Sequence, residues 1–463
     1  MPAKDQTSLS RAALTGGGEH GRLWRLLHVI APVRPGEGTT ALLLALNVFV
    51  LLSCYYILKV IREPLILLGG GAELKAYASA GQTLLLLAVV PAFGLLASRV
   101  RRIQLLTTVN AVLVACLLAF YVLARIEAPI GLAFYLWLGI FNMLVISNFW
   151  SFANDLYTQE QGKRLFAIIG FGGSIGAILG ALIPKPLHHL IGTYELMLVA
   201  AGGMVVSTVL YRIIDRRERM DRDPAGLVAV LKAEAIQPVG REGGFRLVLS
   251  DRYLRLIAAT VMIATVINTV GEYVVGKMVE DASLLQTDRK AFIEGFYSGY
   301  YGLVNIASAL IQGLGVSRIV AKLGVRKALF VMPVIVLGGW LAFAAVTTVG
   351  MIRITKTTEN SVDYSLHNML RQALFLPTSR ESKYKAKAAV DTFFVRMADV
   401  IAGLGIVLLV VDVLGLGLHV LVGINLVLAV IWLVLVARTG RMHDVRAEQR
   451  RARAAMGIRE TAP

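Results

Sequence analysis

The stretch Val48–Leu68 reads VFVLLSCYYILKVIREPLILL, and it decides the fold class. It is long enough for one helix to cross a hydrocarbon layer, which takes about 20 residues. Lys59, Arg62 and Glu63 nevertheless lie inside it. An ionised group at bilayer depth is costly unless it meets a partner or a water-filled cavity. The segment therefore belongs to a helical bundle whose interior receives these charges. Lys59 and Glu63 stand at i,i+4 and are expected to neutralise each other, which leaves Arg62 as a surplus cation able to meet an anion. The plainer alternative is that the long side chains snorkel to the interface. Pro64 lacks a backbone donor and is expected to kink the helix.

The rest of the chain repeats this composition. Of 463 residues, 56% are hydrophobic and 17% charged, with a mean hydropathy of +0.68, whereas a soluble domain is about a quarter charged. Apolar windows separated by charged breaks predict an all-α membrane protein with twelve transmembrane helices at 39–67, 76–98, 103–125, 130–157, 164–187, 193–214, 253–279, 291–317, 327–348, 350–376, 385–412 and 415–437. A polar N-terminal segment, 1–38, lacks the apolar core and small-residue site of a secretory signal. A polar linker, 215–252, contains an amphipathic piece near Leu227–Ala235 and divides two six-helix halves, 39–214 and 253–437; a basic tail, 438–463, closes the chain. Cys54 and Cys116 both fall inside spans, with neither a disulfide framework nor metal-ligand spacing. Neither metal nor cofactor is expected.

A net charge of +17 raises the question of nucleic-acid binding. The charge lies between spans, on alternate sides, at Arg99–Arg102, Lys163 with Arg164, Arg212–Arg255, Arg318–Lys327 and Arg380–Lys387, and in both tails. Short basic loops stay in the cytoplasm. The intervening connections, Glu73 with Lys75, Arg125 with Glu127 and Glu280–Lys290, are short and balanced. The pattern predicts a multi-pass protein of a bacterial inner membrane with both termini cytoplasmic, and its basicity follows topology, with no nucleic-acid partner.

A repeat supports the two halves. Leu156, Thr158 and Lys163 recur at one fixed offset as Leu376, Thr378 and Lys383, and the basic connections SRVRRI (Ser98–Ile103) and AKLGVRK (Ala321–Lys327) recur at nearly the same offset. Two pseudo-symmetric six-helix halves with such loops resemble the major facilitator superfamily, in which the halves rock about a central site.

Polar residues within the other spans are few. In the tenth, Lys356, Asn360, Asp363, His367 and Arg371 follow a 3-to-4 spacing and are expected to share one face toward a cavity or a neighbouring helix, with Tyr364 beside it. In the seventh, VINTVGEYVVGK supplies Asn268, Glu272 and Lys277; Glu272 can balance cations or bind a proton. The fourth ends in NFWSFAND, with Asn148, Asn154 and Asp155, the last a capping candidate. In the eleventh, Asp391, Arg396 and Asp399 follow Lys383, Lys385 and Lys387, a run that reads as positive-inside anchoring or as a phosphate contact. GFGGSIGAILG (Gly170–Gly180) has the outline of a dinucleotide fingerprint but lies inside an apolar span with no strand before it. Gly172, Gly176 and Gly180, four apart, are instead a close-packing face. No GxxxxGK[ST] run is present, so ATP hydrolysis is not expected.

Several of these segments together resemble the ATP/ADP translocase family, the nucleotide exchange transporters of plastids and obligate intracellular bacteria, related to the major facilitator superfamily. YYILKVIREPLIL is similar to that family's first-helix run, with Lys59 on its Arg, Arg62 on its Lys and Glu63 on its second Asp. FWSFANDLYTQEQGKRLFAIIGFGG is similar to its Phe-Trp-x-Phe-Ala-Asn segment with the following Lys-Arg pair, and carries Phe149, Trp150, Phe152, Asn154, Lys163 and Arg164. YSLHNMLRQALFLP and KAKAAVD resemble its second-half stretches, at Tyr364, Arg371, Pro377, Lys385, Lys387 and Asp391, and Glu272 looks like its seventh-helix Glu. The chain departs from the family at Leu138, which stands in place of a Glu, at Asp399 in place of a Lys, and at Gln372 in place of the Glu beside Arg371.

The resemblance implies exchange of nucleotides of the ATP/ADP type by alternating access. Lys59, Arg62, Arg371, Lys385 and Lys387 would meet phosphates, Asn154 and Tyr364 the base or ribose, and Glu272 would offset the cations. Glu63, Asp363, Asp391, Arg396 and Asp399 are candidate proton or gating residues. The partners expected are a nucleotide or another anionic solute and the lipid bilayer, with the chain acting as a monomer. The alternative is a proton-coupled transporter of another solute, with Glu272, Asp391 or Asp399 taking the proton. A non-transporting membrane scaffold is disfavoured by the polar tenth span, and an enzyme by the lack of a nucleophile with its base.

Overall fold

The computed structural model describes residues 37–97, 100, 102–157, 159–221, 244–379 and 382–455. The polar segment before Glu37, the amphipathic piece at 227–235, and Arg99, Arg101 and Arg380 of the basic loops lie outside the described residues, as do the side chains of Asp155, Lys163, Arg164 and Lys383.

The helices are α1 (Gly38–Ala97), α2 (Arg102–Arg125), α3 (Gly131–Leu156), α4 (Gln159–Leu182), the short α5 (Pro184–Ile191) and α6 (Glu195–Asp221). After them come α7 (Gly244–Ser250), α8 (Arg252–Ser283), α9 (Arg289–Leu310), α10 (Val316–Ala328), α11 (Val331–Ala345), α12 (Val349–Val362) and α13 (Asn368–Ala373). The last are α14 (Lys387–Ala389), α15 (Val395–Val400) and α16 (Leu418–Ala455). Among the described residues, nine helical runs are long and apolar enough to cross a membrane. Two expected windows, 39–67 and 76–98, share one bent helix, and 327–348 shortens to the 15 residues of α11.

Local chemistry fixes several boundaries. Asp251 accepts from the amides of Tyr253 and Leu254 at the start of α8; Asp288 and Thr348 do the same for Ala291 and Met351 at α9 and α12. These caps satisfy donors that a helix start leaves open. α1 breaks at Gly70 and Gly71, with Gly71 at φ +74°, and not at Pro64. Only glycine takes that left-handed conformation without strain, so the turn between two arms falls there.

π-helical turns interrupt the second part of the chain at Ile311–Gly315, Asp363–His367, Ser382–Ala386, Val390–Phe394 and Ile401–Val413. A π turn inserts about one residue and rotates the downstream helix face by about 100°. The polar stripe expected from Lys356 to Arg371 is therefore broken at Asp363.

Buried apolar side chains fall into two large clusters. One joins α1, α2, α3, α4 and α6 around Phe134, Phe141 and Phe152. The other joins α8, α9, α11, α12 and α16 around Tyr253, Trp340 and Trp432, and takes in Ile66, Leu67, Ala72, Ala76 and Ala78 of α1. α4 packs along α1 through the expected glycine face: a Cβ at Gly172, Gly176 or Gly180 would overlap the backbone of Ala45, Phe49 or Ser53, respectively. The two sets meet where α4 touches α9 and α1 touches α8.

The final helix runs on into the basic segment that follows the last apolar stretch. α16 continues to Ala455, Thr439 is buried, and Arg446 pairs with Asp251 at 2.8 Å. The basic residues after the apolar stretch continue the same helix, and Arg446 brings it onto the start of α8.

Candidate functional site

A cavity of about 200 Å³ lies between the two helix sets, lined by Lys59, Arg62 and Lys75 from α1, Tyr135 from α3, Glu272 from α8, Tyr301 from α9, Asn360 and Tyr364 around the end of α12, and Asp399. A second cavity, about 440 Å³, adjoins it and shares Lys59 and Tyr364. Its wall is aromatic and amide-bearing, with Tyr55, Tyr56, Phe149, Trp150, Asn142 and Asn305. One end of the combined space is thus charged and the other offers flat rings with a few hydrogen-bonding groups.

Glu63 is fully buried behind the charged wall. It pairs with Arg62, with Lys75 Nζ at 2.7 Å, and accepts from the Tyr301 hydroxyl at 3.0 Å. This overturns the expected Lys59–Glu63 pair. Glu63 turns toward the second arm of α1, where Lys75 comes within reach because of the Gly70–Gly71 bend. Lys75, read from sequence as part of a short connection, is a buried member of the bundle. The surplus cation is Lys59, not Arg62. Its ammonium lies 4.1 Å from the ring centre of Tyr301 and 5.2 Å from that of Tyr56, and no carboxylate among the described residues is within ion-pair distance. Arg62 also rests on the Tyr135 ring at 4.5 Å.

Across the cavity, Lys356 is completely buried; it donates to Asn268 Oδ1 at 2.9 Å and lies 3.0 Å from Glu359 and 4.0 Å from Glu272. Glu272 accepts from Tyr300 and Asn360, each at 3.1 Å. Gly271 makes room for this arrangement, since a Cβ there would press on both Lys356 and Trp340. Asp399, also buried, accepts from Thr269 at 2.8 Å and pairs with Arg396 at 3.3 Å.

The structure gathers some of the expected residues and separates others. Lys59, Arg62, Glu272, Tyr364 and Asp399 line the cavity, with Glu63 directly behind. Asn154 is exposed and lines neither cavity. Arg371, Lys387 and Asp391 form their own cluster, with Asp391 2.9 Å from Lys387 and 3.6 Å from Arg371, and Lys385 lies on the same segment. Asp363 is half-buried outside the cavity wall, and the π turn sends His367 against the Trp432 ring at 5.5 Å. Of the expected stripe, Asn360 lines the cavity and Lys356 lies just behind it.

Sequence reading missed Tyr297, Tyr300 and Tyr301, in the run GFYSGYYG, and Glu359. The tyrosines carried a signal: three phenols at i,i+3,i+4 in an apolar span need polar partners. They find Lys75, Glu272 and Glu63. Also missed was the cluster of His188, Thr193 and Glu294, where Glu294 lies 2.7 Å from the Thr193 hydroxyl and 3.2 Å from His188.

The curated relatives are ADP,ATP carrier proteins. Number 4 of Rickettsia bellii is 23% identical over 286 residues, covering 54% of each protein. Number 1 of Chlamydia muridarum is 24% identical over 326 residues, covering 62% of this chain and 60% of the relative. The chain thus matches little more than half the length of these relatives. Among solved structures, the nucleoside transporter NupG superposes with a TM-score of 0.62 at 13% identity, over 87% of this chain and 98% of its own. A bacterial homologue of the iron transporter ferroportin in an inward-facing state gives 0.61 at 14% identity, over 87% and 98%. At such identities the likeness is one of fold. A profile of the Major Facilitator Superfamily matches residues 42–355, and with this multi-pass helical fold the chain belongs to that superfamily.

Proposed function

We propose that the chain is a secondary transporter that exchanges nucleotides of the ATP/ADP type across a bacterial inner membrane. In this reading it has twelve crossings in two six-helix halves, with both termini cytoplasmic. The halves would rock about the paired cavities. One chain encloses both cavities, so a monomer suffices.

The observation that carries the reading is Lys59. It stands at the junction of both cavities with ring faces, not carboxylates, for neighbours. A cation held this way leaves positive charge for an incoming anion. Phosphates would lie toward Lys59, Arg62 and Lys75; the base would lie among Tyr55, Tyr56 and Trp150. Glu272 and Asp399 would keep the empty path from accumulating excess charge. The carrier names of the relatives support the same cargo class.

The test is uptake of radiolabelled ATP into proteoliposomes, with vesicles preloaded with ADP compared with empty ones. Uptake confined to preloaded vesicles is expected. No uptake in either, by folded protein, overturns the nucleotide assignment. One observation favours a second reading, a proton-coupled transporter of another solute: two carboxylates, Glu272 and Asp399, face the cavity. Uptake that collapses with a protonophore and ignores internal nucleotide is its signature.

A further inference from the structure

Arg353 stands in the second turn of α12, about 6 Å along the axis from Val349. No carboxylate among the described residues lies within ion-pair distance of it. Its guanidinium turns onto α9, 5.5 Å from the centre of the Phe296 ring. Gly299, on the next turn of α9, leaves the notch that receives it, since a Cβ there would lie 2.6 Å from Arg353 Nη2.

The groove between α9 and α12 is separate from the cargo space, because Arg353 lines neither cavity. Leu303 and Ile306 continue the Gly299 side of α9 with exposed side chains, as Ile354 and Thr358 do on α12. Exposed leucine and isoleucine on helices of a membrane bundle mark the surface that lipid covers. The inner sides of the same two helices meet at the cavity wall, where Asn360 donates to the Tyr300 hydroxyl at 2.6 Å. The pair thus has one side toward the cavity and the other toward lipid.

Two polar atoms of the groove are unsatisfied. Arg353 Nε is hidden with no hydrogen-bond partner, and so is Thr357 Oγ1, four residues deeper on the same side of α12. An unmet charge and unmet polar atoms at this depth are costly. An arginine that only snorkelled would extend toward water, whereas this one folds against α9. The missing partner needs a negative charge for the guanidinium, an acceptor about one turn deeper, and an apolar body to lie on Leu303 and Ile306. A glycerophospholipid presents phosphate, ester carbonyl and acyl chain in that order. A zwitterionic headgroup would bring its own cation toward Arg353, which has no acid beside it to receive that cation.

We propose that the α9–α12 groove binds an anionic glycerophospholipid, with Arg353 on its phosphate and Thr357 on an ester carbonyl. The leaflet is the one on the side of the Gly70–Gly71 bend: α8 ends there, with Glu280 on the Ala72 amide, and α9 begins directly after it. A lipid in this groove bridges α9 to α12 and links bilayer composition to the packing of two helices that build the cavity wall.

The test is titration of the full chain, purified in detergent, with phosphatidylglycerol or phosphatidylcholine, counting bound lipids by native mass spectrometry. Wild type is compared with Arg353→Gln and with Arg125→Gln, the latter removing a cation of the same side that already has an acid, Glu195, at 3.2 Å. Arg353→Gln is expected to hold one phosphatidylglycerol fewer per chain, its affinity at that site falling at least tenfold, while Arg125→Gln matches wild type. Phosphatidylcholine should not fill the site. Equal phosphatidylglycerol binding by wild type and Arg353→Gln overturns the proposal, as does an equal loss in Arg125→Gln, which would mean general attraction to positive charge. Phosphatidylcholine binding as tightly as phosphatidylglycerol also overturns it. Glycerol 3-phosphate, which has the phosphate without the chains, should not displace the lipid at equal concentration; displacement would assign the groove to a small soluble anion instead. If Arg353→Gln does not fold, Arg353→Met, suited to a lipid-facing position, should show the same loss, and wild-type binding by that variant overturns the site.

Discussion

Glu63 and Lys75 lie on opposite arms of one bent helix, and Lys75 Nζ sits 2.7 Å from Glu63 Oε2. With Arg62 on the same carboxylate, Glu63 is the anion that holds two buried cations together across the Gly70–Gly71 bend. Glu63→Gln would leave Arg62 and Lys75 facing each other without a counter-charge. Breaking a buried pair from one side costs about 3–5 kcal/mol. The expected outcome is a sharp loss of monodisperse protein on size exclusion in detergent and a lower unfolding temperature. Wild-type behaviour of this variant would show that the network is not structural.

Lys59 makes the opposite forecast. It has no acid partner among the described residues to orphan, so Lys59→Gln should fold as well as wild type. If its charge serves an anionic cargo, the variant loses a charge-assisted contact of about 1.5–3 kcal/mol. That corresponds to a rise in apparent KM for nucleotide of about 10- to 100-fold. Lys59→Arg should recover part of the loss. A KM that does not move would remove Lys59 from the path.

The contrast between these residues shows what the sequence made legible. Membrane class and the polar content of the first, seventh and tenth spans followed from composition and depth, because a charge in lipid demands an explanation wherever it appears. Partner choice did not follow. The i,i+4 rule pairs Lys59 with Glu63 on an isolated straight helix, but the Gly70–Gly71 bend brings in Lys75, a tertiary partner that local spacing cannot anticipate. The stripe from Lys356 to Arg371 failed for a different reason. Five residues at α-helical spacing share a face only while the helix stays α, and the π turn at Asp363–His367 has no distinctive composition. The phosphate role expected for Arg371 rested on resemblance, and that for Lys385 and Lys387 on their basic run as well; none of the three lines either cavity.

The glycine face was legible because its signal is periodic. Gly176 sits so close to Phe49 that any side chain meets backbone, whereas nothing lies within 4 Å of a Cβ at Gly170 on the same helix. Gly176→Val should therefore abolish folded expression or destabilise by more than the usual overpacking cost of about 1–3 kcal/mol, because backbone cannot give way as a side chain does. Gly170→Ala should be neutral. Thermal unfolding of the two variants checks the pair, and equal stability would mean that α4 does not pack on α1 as described.

The end of the bundle at the α1 bend is held shut by contacts between the two sets. The Ala72 amide donates to Glu280 at 2.9 Å, Tyr273 donates to Glu73 at 3.0 Å, and Lys277 lies 3.3 Å from Glu73. The carboxylates here are only partly buried, so each contact is weak by itself. Together they hold the arm of α1 beyond Gly71 against α8. A transporter that alternates must break them to expose the cavity on that side, and weakening them should shift the population toward the opposite opening. Ser79, which lines the cavity, can report this as Ser79→Cys in a Cys54→Ala, Cys116→Ser background. Adding Glu73→Ala and Lys277→Ala should accelerate labelling of that cysteine by a membrane-impermeant thiol reagent applied from the bend side, by about tenfold for each 1.4 kcal/mol of bias. If the labelling rate is unchanged, these contacts do not hold the cavity closed, and the barrier on that side must come from the apolar packing of α1 against α8.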